Sequence, residues 1–285
     1  MDGLIAGAIY SLTASGMSLV YATNRFWHLA HGAVLLSAAY ALYGLYSLLG
    51  LNFYLSSILT VITAMVLGLA MYIFLYRPLR RRRAGNLIML IASAGVLLFF
   101  EGFAQILFGS DVKTLEFIEV QAGINVGGVL VTPLQLIIIA CSVVLLLVFW
   151  IFIKLSPTGK KLRAVADNVE LARLTGINTD RFQALSFVIA SAIAGCAAIL
   201  IALERNVEPR MGVNFALVSF TSSVVGGIGS MPGSILGSYL IGFAENVTLW
   251  VIPSGYKEAI PFVVLFLFLV FRQNGILGVE KGMRE

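Results

Sequence analysis

Long apolar runs, separated from one another by short polar loops, dominate this sequence. A helix needs about 20 predominantly apolar residues to cross the hydrocarbon core of a bilayer, and six runs reach that length. Three further runs near the C-terminal end are shorter or rich in glycine. The long runs are 3–22, 28–49, 53–76, 86–108, 133–155 and 183–203, and the others are 215–228, 233–252 and 258–271. The pattern predicts an all-α polytopic membrane protein with eight or nine transmembrane helices.

The composition excludes an ordinary soluble domain of this length. Apolar residues make up 59% of the 285 residues and charged residues only 12%, whereas soluble domains carry about 25% charged residues. A chain with so few charges cannot cover a large core with a polar surface, so lipid is its expected solvent. The longest polar stretches, 109–132 and 156–182, are too short to bury cores of their own. We therefore expect residues 1–285 to form one transmembrane domain.

The positions of the basic residues predict which loops face the cytoplasm. Five arginines follow the third apolar run, and six basic residues lie from Lys154 to Arg181. Cytoplasmic loops carry an excess of Lys and Arg, so we place 77–85 and the second basic cluster inside. The loop 109–132, with three acidic residues against one lysine, is then outside. Nine crossings would put the N-terminus outside, and a re-entrant hairpin within 215–252 would change that count.

The polar segment after the fifth run predicts a short amphipathic helix. Ser156 is a suitable N-cap before Pro157, and Gly176 is a suitable C-terminal stop. Between them, apolar and polar residues alternate at helical spacing. The apolar positions are Leu162, Val165, Val169 and Ala172, and the polar positions are Lys161, Arg163, Asp167, Glu170 and Arg173. Periodicity alone leaves two interpretations: a helix lying on lipid, or a helix docking into a groove of a partner protein.

Motifs of catalysis and of nucleotide binding are absent from the sequence. No P-loop of the form GxxxxGK[ST] occurs, and no H-E-x-x-H or G-x-G-D motif of an intramembrane enzyme is found. We expect no catalytic residue and no enzyme activity in this chain. If a nucleotide such as ATP with Mg powers the action of this protein, separate chains must bind it.

The segment after Ser156 resembles the cytoplasmic coupling loop of permeases of the branched-chain amino-acid ABC transporter family (LivH/LivM type). That loop has the general form G-x-x-x-R-A-x-x-x-x-x-x-x-A-x-x-x-G-I. The residues that match it in order are Gly159, Arg163, Ala164, Ala172, Gly176 and Ile177. The resemblance implies that the coupling loop 156–182 contacts a separate ATPase. The residues that it assigns to this contact are Gly159, Arg163, Ala164, Asp167, Ala172 and Gly176.

Other segments extend the resemblance along nearly the whole chain. They include the opening Gly3 to Leu12, the Y-R-P-L-R segment 76–80, the G-G-x-G-S-x-P-G loop 226–233, and 272–278, where Gln273 replaces a proline. Residues 29–32 resemble the end of an N-F-A-H-G signature, with His28 and Leu29 in place of Asn and Phe. The departure at His28 lies close to the expected solute pathway. The resemblance therefore gives weaker support for the identity of the solute than for the family.

The resemblance implies a permease subunit related to the type II ABC importer fold. Its expected cargo is branched-chain or other hydrophobic amino acids, with urea or short amides as further candidates, moved by alternating access. The implied partners are a second permease, identical or homologous, two cytoplasmic ATP-binding subunits and an extracytoplasmic solute-binding protein. The implied location is the bacterial or archaeal plasma (inner) membrane. We expect no cofactor, metal or nucleic acid on this chain. An alternative is a secondary transporter driven by an ion gradient, which would leave the amphipathic segment without a role.

Small residues in the sequence predict close contacts between helices and one break in an apolar segment. Gly3, Gly7, Ser11 and Ser15 recur at every fourth position, which permits close approach of another helix. Gly226, Gly227 and Gly229 interrupt the apolar residues before 233–252. This interruption is either a broken helix near the solute pathway or a tight cytoplasmic turn, and we include the three glycines among the candidate pathway residues.

Polar residues within the apolar runs are further candidates. His28 and His31 are one helical turn apart, but no third ligand accompanies them, so we predict no metal site. We expect His31 to form a hydrogen bond within the bundle, beside a close helix approach at Gly32. Glu101 and Glu245 are the carboxyl groups within apolar runs, and an ionisable group there is a functional candidate by default. Each contacts the solute, makes an interhelical hydrogen bond or lies near a membrane interface. His31, Gly32 and Glu101 complete the candidate pathway.

Overall fold

A computed structural model describes residues 2–115, 117, 124–126, 129–251 and 253–278 of the chain. In chain order, the α-helices of these residues are α1 (Asp2–Asn24), α2 (His31–Tyr43), α3 (Phe53–Met71), α4 (Arg77–Arg81), α5 (Asn86–Phe108), α6 (Pro133–Leu155), α7 (Pro157–Asp167), α8 (Val169–Leu174), α9 (Thr179–Glu204), α10 (Met211–Gly226), α11 (Met231–Thr248) and α12 (Ile260–Phe271). The π-helical segments Gly44–Leu48 and Tyr72–Tyr76 continue α2 and α3, and a 3₁₀ segment, Ser254–Ala259, precedes α12. An antiparallel hairpin of β1 (Ile124–Val126) and β2 (Val129–Val131) was not expected. The prediction of an all-α polytopic membrane protein is otherwise confirmed.

Within the described part of the chain, five helical segments are long and apolar enough to cross a bilayer. They are α1, α3 continued to Arg81, α5, α6 and α9, and the bent pair of α10 and α11 also qualifies when taken together. With the shorter α2 and α12, the described segments number eight when the bent pair counts as one span and nine when α10 and α11 count separately, which is the range expected from the sequence. Twelve residues of α12 extend only about 18 Å, so that helix alone is shorter than the hydrocarbon core.

Helix α1 lies at the centre of the bundle, although it is the least apolar of the long spans. In its apolar stretch 94% of the residues are buried, against 22% in α5 and in α6. Its mean hydropathy is 1.5, whereas that of α6 is 3.2. A helix that is apolar on all sides suits lipid, while small and hydroxyl-bearing residues suit helix contacts. The surrounding helices therefore separate α1 from the lipid.

Glycines on α1 bring α11 against it, as the four-residue spacing of small residues predicted. A Cβ added to Gly7 would lie 2.6 Å from the Tyr239 ring, and one added to Gly242 would lie 2.6 Å from the backbone nitrogen of Gly7. The hydroxyls of Ser11 and Ser15 donate to carbonyls of their own helix, at Ala8 and Leu12. These contacts leave no room for larger side chains between the two helices.

Several helix boundaries differ from the sequence prediction: α9 and α10 begin four residues early, at Thr179 and Met211, and α11 ends four residues early, at Thr248. Two further differences move residues between a loop and a helix. The second span was expected from residue 28, but the chain leaves α1 at Arg25 with a φ of +62° and becomes helical again only at His31. Residues 77–81 were expected in a loop, but α4 continues the third span to Arg81, because Pro78 occupies a first-turn position that tolerates proline. The arginines that follow the third apolar run are therefore largely on a helix end.

Side-chain contacts show which loops share an end of the bundle. The Arg80 guanidinium donates to Asn24 Oδ1 at 2.7 Å and to the Gln183 side chain, and Arg25 donates to the carbonyl of Ala166. We call this basic end the inner end, because the positive-inside rule places it in the cytoplasm. At the opposite, outer end, Lys113 forms a backbone bridge with Val207. Two acidic residues of the predicted outside loop, Glu116 and Glu119, lie outside the described residues.

Candidate functional site

Helix α7 is fixed to the inner end of α6 by its first turn. The backbone nitrogen of Gly159 donates to Ser156 Oγ at 2.8 Å, which confirms the predicted N-cap before Pro157. A Cβ on Gly159 would lie 2.4 Å from the carbonyl oxygens of Phe152 and Ile153. Gly159 therefore allows α7 to fold back closely onto the end of α6.

The prediction of one continuous amphipathic helix over this segment is wrong. Asn168 has extended backbone angles, and its side-chain oxygen accepts hydrogen bonds from the backbone nitrogens of Glu170 and Leu171 at 2.9 and 3.0 Å. Asn168 thus ends α7 and caps α8, because Asn at an N-cap satisfies the free amides of a new helix. Gly176, with a φ of +81°, follows the end of α8 as predicted.

The two short helices expose a mixed surface at the inner end. Leu171 and Leu174 on α8 are 59% and 84% exposed, and Arg163 and Asp167 on α7 are exposed as well. We call these four residues the inner docking surface. Of the other predicted coupling residues, Gly176 is exposed, Ala164 is half-buried, and Gly159 and Ala172 are buried. Gly159 and Ala172 therefore lie beneath the inner docking surface and are not part of it.

The glycines between α10 and α11 form a tight turn at the inner end. The chain bends by 115° between α10 and α11, at the break 227–230. Within this break, Gly227 and Gly229 have φ values of +117° and +77°. A Cβ on Gly226 would lie 2.0 Å from the carbonyl oxygen of Gly233. The backbone nitrogen of Leu277 donates to the carbonyl of Gly226 at 2.9 Å, so the C-terminal segment holds this turn. The geometry supports the turn interpretation of this glycine cluster.

His31 and Gly32 lie deep in the bundle, at the first turn of α2. A Cβ on Gly32 would lie 2.1 Å from the carbonyl oxygen of Gly212, so the predicted close helix approach is present, between α2 and α10. The His31 ring lies beside Gly16, about 12 Å along α1 from its inner end. The His31 ring also lies within reach of the Thr13 backbone on α1. The predicted hydrogen bond of His31 within the bundle therefore stays a prediction.

The predicted pathway residues do not converge on one place. His31 and Gly32 lie near Gly212, whereas Gly226 is about 21 Å further along α10. Glu101 is half-buried on α5, and no hydrogen bond or ion pair joins it to another described residue. In the same part of the chain, no group of three or more His, Cys, Asp or Glu side chains is arranged to hold a metal ion.

A cavity lined by charged groups opens at the outer end of the bundle, and Glu245 is one of its lining residues. Its volume is about 160 Å³. Glu245 is 2% exposed, and the Tyr10 hydroxyl donates to its Oε2 at 2.8 Å. Arg205, which follows α9, and Lys257 of the 3₁₀ segment line the same cavity. The cavity, which we call the outer cavity, therefore brings a carboxyl group and two cationic groups together.

Glu258 and Asn214 complete the polar lining of the outer cavity. The Asn214 amide donates to Glu258 Oε1 at 3.2 Å. Burial lowers the pKa of the Lys257 ammonium, and the charge of Arg205 lowers it further, while Glu245 opposes this shift. The cationic groups are thus close enough to influence each other across the cavity.

Sequence reasoning identified only one residue of this cavity. Glu245 was singled out as a carboxyl group within an apolar run, but Arg205, Lys257 and Glu258 are ordinary loop charges in the sequence. Tyr10 is one of several residues with a hydroxyl in the first apolar run; the others include Ser11, Thr13, Ser15 and Ser18. A carboxyl within an apolar run costs free energy in lipid unless it has a partner, but the sequence does not indicate which hydroxyl is the partner of Glu245.

Comparisons with known proteins agree with the expected family. The family described as branched-chain amino acid transport system / permease component matches residues 1–269. The chain is 32% identical to the high-affinity branched-chain amino acid transport system permease protein BraD of Pseudomonas aeruginosa, over 99% of this chain and 96% of that protein. It is 30% identical to LivH, the corresponding permease of Escherichia coli, over 98% and 96% of the two chains.

A more distant relative comes from an archaeon. The chain is 27% identical to the probable branched-chain amino acid transport permease protein LivH of Methanocaldococcus jannaschii, over 97% of this chain and 92% of that protein. No solved structure matches the chain. These relatives are named as transport permeases, and together with the apolar helices they indicate a multi-pass membrane protein. The chain belongs to the family of permease components of branched-chain amino acid ABC transport systems.

Proposed function

We propose that this chain is the membrane-spanning subunit of an ATP-driven importer of branched-chain amino acids in a bacterial or archaeal plasma membrane. The observation that supports this most directly is the inner docking surface. Leu171 and Leu174 are exposed at the basic end of the protein, outside the apolar spans. Exposed apolar side chains of short helices are typical of docking into a groove of a partner. The groove would belong to an ATP-hydrolysing subunit.

In this proposal the chain works with four further subunits and supplies no chemistry of its own. A second permease, identical or homologous, forms the pathway with it; two cytoplasmic subunits bind ATP and Mg; and an extracytoplasmic protein delivers the solute. The two permeases alternate between inward- and outward-open states when the ATPases act on the coupling loop 156–182. The relatives named above are branched-chain amino acid permeases, so urea and short amides have no support and are left out.

Reconstitution into proteoliposomes tests the proposal. The assembled transporter should accumulate leucine only with ATP on the side of the ATPase subunits and with the solute-binding protein on the other side. The purified chain alone should neither hydrolyse ATP nor accumulate leucine under a proton or sodium gradient. Leucine uptake by the chain alone under such a gradient would instead establish the secondary transporter. Failure of the assembled complex to take up any branched-chain amino acid would reject the proposed cargo.

A further inference from the structure

The carboxyl group of Glu245 keeps free acceptor capacity toward the outer cavity. A carboxylate offers about four lone-pair positions on its two oxygens. Among the described residues, only the Tyr10 hydroxyl donates to Glu245, and it does so at Oε2. A buried carboxylate with a single hydrogen bond is costly, and a cationic group in the cavity would reduce that cost.

The cationic groups of the outer cavity are not neutralised by ion pairs. The ion pairs in the described part of the chain join Arg77 to Asp180 and Lys113 to Asp111. Arg205 and Lys257 therefore line the cavity without a carboxylate in ion-pair contact. With Glu245 and Glu258 the cavity carries two positive and two negative groups. A solute that carries both charges and is neutral overall fits this lining better than an anion or a cation does.

An apolar wall lies beside the charged groups. Phe215, Val218 and Phe262 line the cavity along with Leu217, and the Phe215 ring packs edge-on against the Tyr10 ring at 5.9 Å between centroids. Small-molecule sites combine an apolar lining with a few polar groups that fix orientation. The cavity of about 160 Å³ is smaller than the roughly 300–1,000 Å³ of drug-sized pockets, so its ligand is small.

We infer that the outer cavity binds the zwitterionic head group of an aliphatic α-amino acid. The carboxylate of the solute lies at Arg205 and Lys257, its ammonium group at Glu245, and its side chain against Phe215, Val218 and Phe262. This inference rests on the proposed function and deepens it, because it gives the imported amino acid a binding site within this chain. Arg205 and Lys257 provide the charge-assisted donors that a carboxylate prefers.

Binding of leucine and two analogues to the full chain in lipid nanodiscs tests the inference. The first analogue, 4-methyl-2-oxopentanoate, lacks the ammonium group, and the second, 3-methylbutylamine, lacks the carboxylate. Labelled leucine should bind saturably, and each analogue should compete about tenfold less well or worse, because each leaves a charged group of the cavity without its partner. Equal competition by leucine and either analogue, or no saturable leucine binding, would overturn the inference.

Substitutions then assign each charge to one end of the solute. Glu245→Gln should weaken leucine binding about tenfold and leave binding of the keto acid unchanged, since that analogue has no ammonium group. Arg205→Gln should weaken leucine and the keto acid but leave the amine unchanged. Because Arg205 is exposed, Arg205→Gln is expected to fold. This variant therefore still tests the inference if Glu245→Gln does not fold. Glu208→Gln is the matched control, because Glu208 is exposed in the same loop and does not line the cavity.

ATP-driven leucine uptake by the assembled wild-type transporter, measured in parallel, separates the two proposals. Uptake without saturable binding to the chain would reject the outer cavity as the amino-acid site and leave the proposed function standing. Binding to the chain without ATP-driven uptake would reject the proposed function and keep the site. A Glu245→Gln variant with wild-type affinities for leucine and both analogues would contradict the assignment of the ammonium group.

Discussion

The inner and outer ends of this bundle are built differently. At the inner end, the backbones of α10 and α11 touch at Gly226 and Gly233, and Arg80 joins α4 to α1 and α9 through hydrogen bonds. At the outer end, Arg205 and Lys257 border a cavity without ion pairs. The closely packed turn between α10 and α11 can transmit the movement of a partner, although a cavity of about 640 Å³ lies beside it, lined by Arg163, Asp167 and Gly229 among others. The unpaired charges of the outer cavity can recognise a solute. The difference suggests that energy coupling and solute recognition are separated along the membrane normal.

The largest effect is expected from filling the inner turn. Gly226→Ala would place a Cβ 2.0 Å from the carbonyl oxygen of Gly233, and overpacking of this kind costs about 1–3 kcal/mol or more. Thermal unfolding of the purified chain in detergent should show a clear loss of stability. Gly95→Ala on α5 is the matched control, since nothing lies within 4 Å of its added Cβ. Equal unfolding temperatures for the two variants would show that the turn between α10 and α11 is not tightly packed.

The next effect concerns the two carboxyl groups within apolar runs. Glu245→Gln should raise the KM for leucine uptake by the assembled transporter about tenfold. Glu101→Gln should have a smaller effect, because Glu101 lies on α5 outside the outer cavity. Initial uptake rates over a range of leucine concentrations measure both. A larger effect for Glu101→Gln would place the solute pathway at α5, as the sequence allowed, and not at the outer cavity.

A smaller effect is expected from the polar network at the inner end. Arg80→Ala removes hydrogen bonds to Asn24 and Gln183 and leaves these partly buried amides without their donor. Such losses cost about 1–3 kcal/mol, so the unfolding temperature should fall. Arg82→Ala is the control, because Arg82 is exposed and forms no side-chain hydrogen bond with a described residue. A similar unfolding temperature for both variants would mean that the network does not stabilise the inner end.

The sequence predicted the lipid-facing spans well, and the predicted spans 86–108 and 133–155 coincide with α5 and α6. These helices are apolar nearly all round and end at Gly or a capping residue, so local signals decide their bounds. The start of α2 was missed because residues 26–30 are mostly apolar yet not helical. Hydropathy cannot distinguish a buried loop from a helix.

The features to which the proposals assign a function were harder to predict. The sequence pattern does not reveal the break at Asn168, because Val169 and Ala172 continue the apolar spacing of α7. In the structure, the Asn168 side chain caps a new helix. The outer cavity draws Tyr10 from α1, Glu245 from α11 and Lys257 from the segment before α12. Such groups meet only through the packing of distant helices, which no local pattern encodes. The proposed coupling loop 156–182 was identified through its resemblance to a family motif.

The separation of coupling from recognition is tested most directly by measuring ATP hydrolysis in the assembled transporter. Leu174→Asp and Arg163→Glu change the inner docking surface, and Val112→Asp is a matched control at the outer end, where Val112 is 52% exposed. Both inner variants are expected to lose most of the leucine-stimulated ATP hydrolysis while the purified chain still binds leucine, and Val112→Asp is expected to keep both. Wild-type stimulation in Leu174→Asp and Arg163→Glu would contradict the account, because the ATPase would then be coupled elsewhere.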